Sequence, residues 1–507
     1  MFFKNKKART LDGVNLKKDK KSEKEGDLFP SSADQFVGEM KNKLQHSADF
    51  KSKELPNGIT LVYLDTMVEK KMLHQDIISA LHEVHGSPDE ILENITVGST
   101  TKHKCMEDGI HSILRGAILI HSAGYSCVIS ALIPSNENRS LTRPENEAQV
   151  LGPQLAFNES LSTNISLIRR YLSNPNICNE SFSIGKQTKS AVSILYMKDL
   201  ADEDMIDRLR ERINDIKIDS VLDSSILAQL IEDNSLAIFP QMVLTERPDR
   251  ASAWLLNGKA VVLVDGSVQV IGCPHSFIEF FQSMEDQSVR WQIASFLRLL
   301  RVFSMIVSIF FTAIYVAALT FHYEIIPQTL LVPLGESRSR VPFPPIIEAL
   351  LLETMIELLR EAGARLPTKV GQTMGIVGGI VVGTAAVEAG FTSNILIIII
   401  AVSALASFTT PSYMMGNVIR ILRFPLIIMA GFWGFFGLMI GFCFLLIHLL
   451  RQSSLGSPFL APFYPPRFAD WRDSIIRLPI GLTNTRPVQS RPLDRVKYRS
   501  RNSNEDE

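Results

Sequence analysis

Glycine recurs at every fourth position in the stretch GQTMGIVGGIVVGTAAVEAG (371–390), at Gly371, Gly375, Gly379 and Gly383, with Gly378 beside them. Two kinds of chemistry use such spacing. A glycine-rich loop can cradle a phosphate on its backbone N–H groups, and a glycine-faced helix lets a neighbouring helix approach closely. The phosphate loop needs a strand before it and a GK[ST] after it; no strand pattern precedes Gly371 and no GK[ST] follows. On a helix the four glycines drift by only about 40° per step and form one stripe, so close packing is what the spacing supports. In a sharper version this is a pore-lining helix that points Thr373, Ile376, Val377, Val382 or Thr384 at an axis, with Gln372 and Glu388 near its two ends. Apolar rings gate by dewetting, and carboxylates at a mouth favour cations.

A second concentration of chemistry lies in PFPPIIEALLLETMIELLREAG (342–363). Glu353, Glu357, Arg360 and Glu361 share one side at 100° per residue, Glu348 falls off it, and the remainder is mostly Leu, Ile and Met. That is an amphipathic helix with prolines ahead of it. The expected placement is interfacial or re-entrant, because four carboxylates among acyl chains would be costly. Glu348, Glu353 and Glu357 are candidates for a vestibule.

Other constellations are weaker. Cys105 with His103 and His111 fits no standard zinc spacing, and the five cysteines are scattered without a CxxC pair. No metal or cofactor is expected. GxSxG, HExxH, a P-loop and a GxGxxG at a strand–helix junction are all missing from the sequence, so an enzyme is not expected. RPENE (143–147) and TERPDR (245–250) are dense in charge and proline, as binding edges or as capped, salt-bridged turns. A net charge of −1 over 507 residues gives no global basic field for nucleic acid.

The elements that must carry these residues fall into blocks. Residues 1–27 form a basic tail expected to be disordered, with nine Lys/Arg against four Asp/Glu in 1–26 and no apolar h-region of a signal peptide. Residues 28–145 and 146–288 read as two small α/β subdomains. ITLVYLDT (59–66) has the composition of a buried strand, GAILIHSAGYSCVISAL (116–132) reads as two strands around Gly124, and GKAVVLVDGSVQVIGCP (258–274) reads as a hairpin turning at Asp265–Gly266. DEDMIDRLRERINDI (202–216) is an amphipathic helix whose charges complement its dipole. The fold class is therefore an α/β soluble region followed by an α-helical membrane domain over 289–450. Four spans are expected, at 302–320, 371–389, 394–410 and 424–449, with the amphipathic helix at 342–363. Residues 451–507 are a basic Pro/Arg-rich tail, with ten Lys/Arg against six acids. Arg290, Arg298 and Arg301 flank the first span, so both ends lie inside if the span number is even. Four spans satisfy that but leave Arg420 and Arg423 outside. Adding the 342–363 helix brings them in and moves the basic tail out.

From about Leu141 to about Pro466 the chain resembles the spore germinant receptor A-subunit family (GerA type), which includes the SpoVAF-like proteins. The resemblance is carried by LTRPENEAQVLGPQLAFNESLSTNISLIRR (141–170), IDSVLDSSILAQLIED (218–233), TERPDRASAWLLNGKAVVLVDG (245–266), FLRLLRVFSMIVSIFFTAIYVAALT (296–320), TFHYEIIPQTLL (320–331), VPFPPIIEALLLETMIELLREAGARLP (341–367) and IRILRFPLI (419–427), all in order. It implies a multi-pass subunit of a nutrient receptor in the inner membrane of a bacterial spore, with its N-terminal domain facing the core. The implied partners are a transporter-like B subunit and a lipoprotein C subunit. The implied assembly is a pentameric, ligand-gated cation channel that starts germination. A non-conducting scaffold or a SpoVAF-like accessory subunit remains the alternative.

Overall fold

The computed structural model describes residues 28–135, 143–366 and 378–497, apart from 83, 85, 86, 98, 380 and 469. The expected basic tail 1–27 lies outside these residues. The chain divides into two compact units, one of residues 28–40 and 51–134, the other of residues 41–50 and 135 onward.

The first unit is built on five strands: β1 (Phe50–Glu54), β2 (Ile59–Leu64), β3 (Thr100–His103), β4 (Ala117–Ser122) and β5 (Val128–Leu132), in the order β1-β2-β4-β5-β3. Helix α1 (Ala33–Lys43) begins in this unit and stacks Phe36 on the His121 ring of β4 at 4.6 Å. Gly124 makes the turn between β4 and β5 with φ +91°, a conformation that favours glycine.

The second unit opens with another α/β block. Its strands β6 (Ile177–Ile184), β7 (Ser190–Met197), β8 (Val243–Thr245), β9 (Ala260–Val264) and β10 (Val270–Cys273) pair in the order β6-β7-β9-β10-β8. Ile194, Val262, Val264 and Ile271 point into one core cluster, and Leu195, Val261, Leu263 and Val270 into another. Alternate residues feed opposite faces, and both faces are covered. That is why β9 reads as an unbroken apolar run. Two covering helices start behind side chains that cap them, α2 (Leu161–Tyr171) behind Ser160 and α4 (Ser224–Ile231) behind Asp223; α3 (Glu203–Asp215) has acids in its first turn, and α5 (Pro248–Leu256) has proline in its first turn.

A helical bundle follows in the same unit. Helix α6 (Trp291–Phe321) leaves the α/β block, where Arg298 and Arg301 hold Asp286, and ends at His322. Then come α7 (Gln328–Arg338), α8 (Pro345–Arg365), a π-helical turn (Val381–Ala385), α9 (Asn394–Ser407) and α10 (Tyr413–Arg451). Helices α6 and α10 are long and apolar enough to cross a membrane.

Helix α10 is not one rod. Gly434 has φ 60° and ψ −142°, which breaks the helix. A Cβ on Gly441 would lie 2.5 Å from Leu426, and one on Gly437 would lie 2.2 Å from the Met429 carbonyl oxygen. In a straight helix residues 426 and 441 would be about 22 Å apart. The chain therefore doubles back at Gly434 into a tight hairpin of two legs, and the span expected over 424–449 is two antiparallel segments. The unbroken apolar run hides the turn, because no charge or proline marks it.

The contacts order the bundle from a base at the α/β block to a tip. At the tip, His322 packs against Gly434 and Phe435, Gly390 against Arg340, and Ile346 against Gly431. At the base, Arg360 meets Ser407, and His448 accepts from the Ile238 N–H. Helix α8 thus runs from tip to base alongside the others, instead of lying across their ends.

The last segment, among its described residues, returns to the α/β block. Phe459 is fully buried among Phe277 and Phe280. Asp233 accepts the Leu455 and Gly456 N–H groups at 2.9 and 3.0 Å. Arg477 donates to the carbonyl oxygens of Gln287 and Val289 just before α6, and Arg486 donates to that of Leu256.

Candidate functional site

Helix α8 brings most of the ionisable chemistry into the bundle. Glu348 is 2% exposed. It accepts from the Thr392 hydroxyl at 3.0 Å and the Ser393 N–H at 2.6 Å, and Arg338 lies 3.5 Å away. Glu353 is 3% exposed. It pairs with Arg423 at 3.0 Å and accepts from Thr312 at 2.9 Å. Glu357 is partly exposed and stands 3.4 Å from Arg420. Glu361 is exposed and pairs with Arg365 on the same helix.

The side expected to face water as a unit is thus graded, from buried pairs near the tip to solvated ones at the base. Buried carboxylates persist in an apolar bundle only when paired and hydrogen-bonded, and these two are. Sequence reasoning placed the acids but missed Arg338 and Arg423 as their partners. The only signal was that charge inside an apolar segment implies a counter-charge somewhere.

The glycine segment is described from Gly378 onward except residue 380, so Gly371, Gln372, Gly375 and Ile376 lie outside the described residues. Gly378 packs on Leu359, where a Cβ would come within 2.9 Å. A Cβ on Gly379 or Gly383 would meet nothing within 4 Å. Thr384 and Glu388 are exposed, and Val382 falls in the π-helical turn. Among the described residues, then, the striped glycines 379 and 383 touch no neighbour in their own chain.

The two charge-dense loops prove to be one structure. Glu246 accepts the N–H groups of Glu145 and Asn146. Glu147 pairs with Arg250 and accepts from Thr245. Arg247, 1% exposed, donates to the carbonyl oxygens of Glu147 and Pro153. Together with Pro411–Asn417, where the first leg of α10 begins, they enclose a cavity of about 500 Å³. This is a joint between the sheet and the bundle.

Beneath it the α/β block holds a buried triad. Lys259 donates to both Glu279 oxygens at 2.7 Å, and His275 Nδ1 is 2.9 Å from Glu279. Burial, and then the Lys259 charge, push the His275 imidazole down to about 4. Burial opposes ionisation of Glu279, but Lys259 and His275 outweigh it and hold the carboxyl well below its usual range. Within the triad the charges of Lys259 and Glu279 are matched, while His275 Nε2 is buried without a hydrogen-bond partner among the described residues. Cys105, His103 and His111 do not gather as metal ligands among the described residues; His103 instead meets the hydroxyls of Thr101 and Ser130.

Comparison with known proteins places these features in a family. The profile of the Bacillus/Clostridium GerA spore germination protein matches residues 38–489. The Bacillus cereus spore germination protein GerQA is 43% identical over 93% of this chain and 95% of its own length. GerIA of the same species is 42% identical over 89% of this chain and 68% of its own. The crystal structure of the N-terminal domain of the A subunit of the Bacillus megaterium spore germinant receptor GerK3 aligns with 50% of this chain and 98% of that chain, at 25% identity and a TM-score of 0.40.

Proposed function

This chain belongs to the GerA spore germination protein family, and from that premise we propose that it is the A subunit of a nutrient germinant receptor in the spore inner membrane. It joins a transporter-like B subunit and a lipoprotein C subunit there, and copies of it assemble into a ring, a pentamer, that conducts cations once nutrient is sensed. It catalyses no reaction. The observation that carries the reading is the 378–388 segment. A Cβ on Gly379 or Gly383 would meet nothing within 4 Å among the described residues, while Thr384 and Glu388 are exposed. A ring of copies would fill the glycine face and turn the remaining side chains towards an axis.

The contacts also support six crossings in place of four: α6, α8, the segment ending at Gly390, α9, and the two legs of α10. An even number keeps both termini on one side. It also puts Arg420 and Arg423 on the same side as the basic tail, which removes the conflict between them. Glu348, Glu353 and Glu357 are then the polar interior of each subunit's bundle, with Glu357 nearest a vestibule.

Two measurements test this. The mass of the full-length protein in detergent should correspond to a ring. Gly379→Leu should break the ring while leaving the subunit's thermal stability within about 0.5 kcal/mol, as for a surface change. A monomeric wild type favours the non-conducting scaffold or SpoVAF-like accessory role. In sealed vesicles, cysteines placed at Ser339 and Glu361 should label from opposite faces. Labelling from one face would return α8 to the interface.

A further inference from the structure

The base of the bundle gathers more positive than negative charge. Arg360, Arg420 and Arg423 lie within electrostatic reach of one another and of two carboxylates, Glu353 and Glu357. Arg423 uses Nη1 on Glu353, and Arg420 faces Glu357. Arg360 has no carboxylate partner among the described residues. It donates to the Ser407 hydroxyl at 3.2 Å and lies 4.2 Å over the Phe408 ring. The next acid on α8, Glu361, is occupied by Arg365. Residues 367–377 include Lys369 but no Asp or Glu, so they bring no compensating charge.

Among the described residues, three guanidiniums against two carboxylates leave one positive charge over. The donor inventory agrees with the charge count. Arg360 Nη1 and Arg423 Nε are buried without a hydrogen-bond partner among the described residues, and Arg420 Nε reaches only the Glu357 carboxylate, at 3.4 Å and outside hydrogen-bond geometry. Buried N–H groups of a cation without an acceptor are costly, and a bound anion removes both deficits together.

The surroundings indicate which anion. Leu358, Leu405, Phe408 and Ile421 flank the cluster on its three helices, each between 65% and 68% exposed. A guanidinium set with an outward apolar collar suits an oxyanion that carries hydrocarbon. Planar guanidinium forks match phosphate oxygens, and basic pockets between helices at a headgroup level take anionic lipids. We propose that Arg360, with Arg420 and Arg423 behind it, binds the phosphate of an anionic phospholipid headgroup at the base of the bundle. The site rests on the membrane reading above, and it places a specific lipid between α8, α9 and the first leg of α10.

The test uses the purified full-length protein in detergent, with its thermal unfolding followed against added dioleoylphosphatidylglycerol, dioleoylphosphatidylcholine or inorganic phosphate. Phosphatidylglycerol should raise the unfolding temperature and phosphatidylcholine should not. Arg360→Gln should weaken the phosphatidylglycerol response by roughly tenfold in concentration, the loss of one charge-assisted contact. Equal responses to the two lipids, or an unchanged Arg360→Gln response, overturn the site. If inorganic phosphate alone gives the full shift and the lipid adds nothing, the oxyanion is a free phosphate and the lipid assignment is overturned. Should Arg360→Gln fail to fold, Glu357→Gln removes the competing carboxylate and should tighten phosphatidylglycerol binding; unchanged or weaker binding counts against the site. Recovery of the wild type from the aqueous fraction without detergent would instead defeat the membrane reading.

Discussion

Glu353 and Glu361 sit on the same helix eight residues apart, and they should answer substitution very differently. Glu353→Gln leaves Arg423 buried without its counter-charge, a change of ~3–5 kcal/mol, whereas Glu361→Gln removes only a solvated pair and should leave stability almost unchanged. Denaturation of the two variants in detergent should separate them clearly; equal, small losses would mean that water reaches Glu353. His275 makes a second residue-scale claim. The unfolded imidazole titrates near 6.5, and in the fold it is pushed down to about 4. Between those values the unfolded chain takes up a proton that the folded chain refuses. Stability is therefore full above about pH 6.5 and falls as the pH drops towards about 4, by on the order of 3 kcal/mol. Glu279, also held below its usual range, loses its contribution in the same direction at still lower pH. Unfolding temperatures at about pH 7.5 and about pH 5 should diverge in the wild type and converge in His275→Gln. Parallel shifts in both would place the acid sensitivity elsewhere.

Among the elements, those specified by neighbours in sequence were legible and those specified by distant partners were not. Asp265–Gly266 sits between two apolar runs, and a hairpin turns there with φ +85° at Gly266. Ser160 and Asp223 announce their helices in the same local way. The hairpin in α10 has no such marker. Gly434 is one glycine among several in an apolar run, and what turns the chain is the fit of Gly437 and Gly441 against Met429 and Leu426. In apolar segments composition reports burial in something greasy, not direction, so a single span and a folded-back pair read alike. The difference is measurable. Cysteines placed at Leu426 and Gly441 should form a disulfide on mild oxidation, since the legs touch there. A straight helix would hold them about 22 Å apart and could not cross-link.

At the scale of the whole molecule, the tail after α10 was legible as basic and proline-rich but not as part of the α/β block. Its arginines serve carbonyl groups, and its apolar residues are spaced irregularly, so nothing in the pattern marks Phe459 and Leu455 as the side chains that enter the block's cores. Phe459→Ala should cost ~3–5 kcal/mol, read as a lower unfolding temperature and faster proteolysis of the α/β block; an effect confined to the last fifty or so residues would show the tail to be a passenger. The same return of the chain has a consequence in time. The sheet of the second α/β block is complete in sequence at Cys273, but the side chain that closes its core is made only at residue 459. At typical synthesis rates that is a delay of roughly 10–40 s, during which every apolar helix is made. The block therefore reaches its final form only after the bundle has been made, so a nascent chain that stalls midway leaves an α/β half with an open seam, recognisable to quality control before the bundle exists.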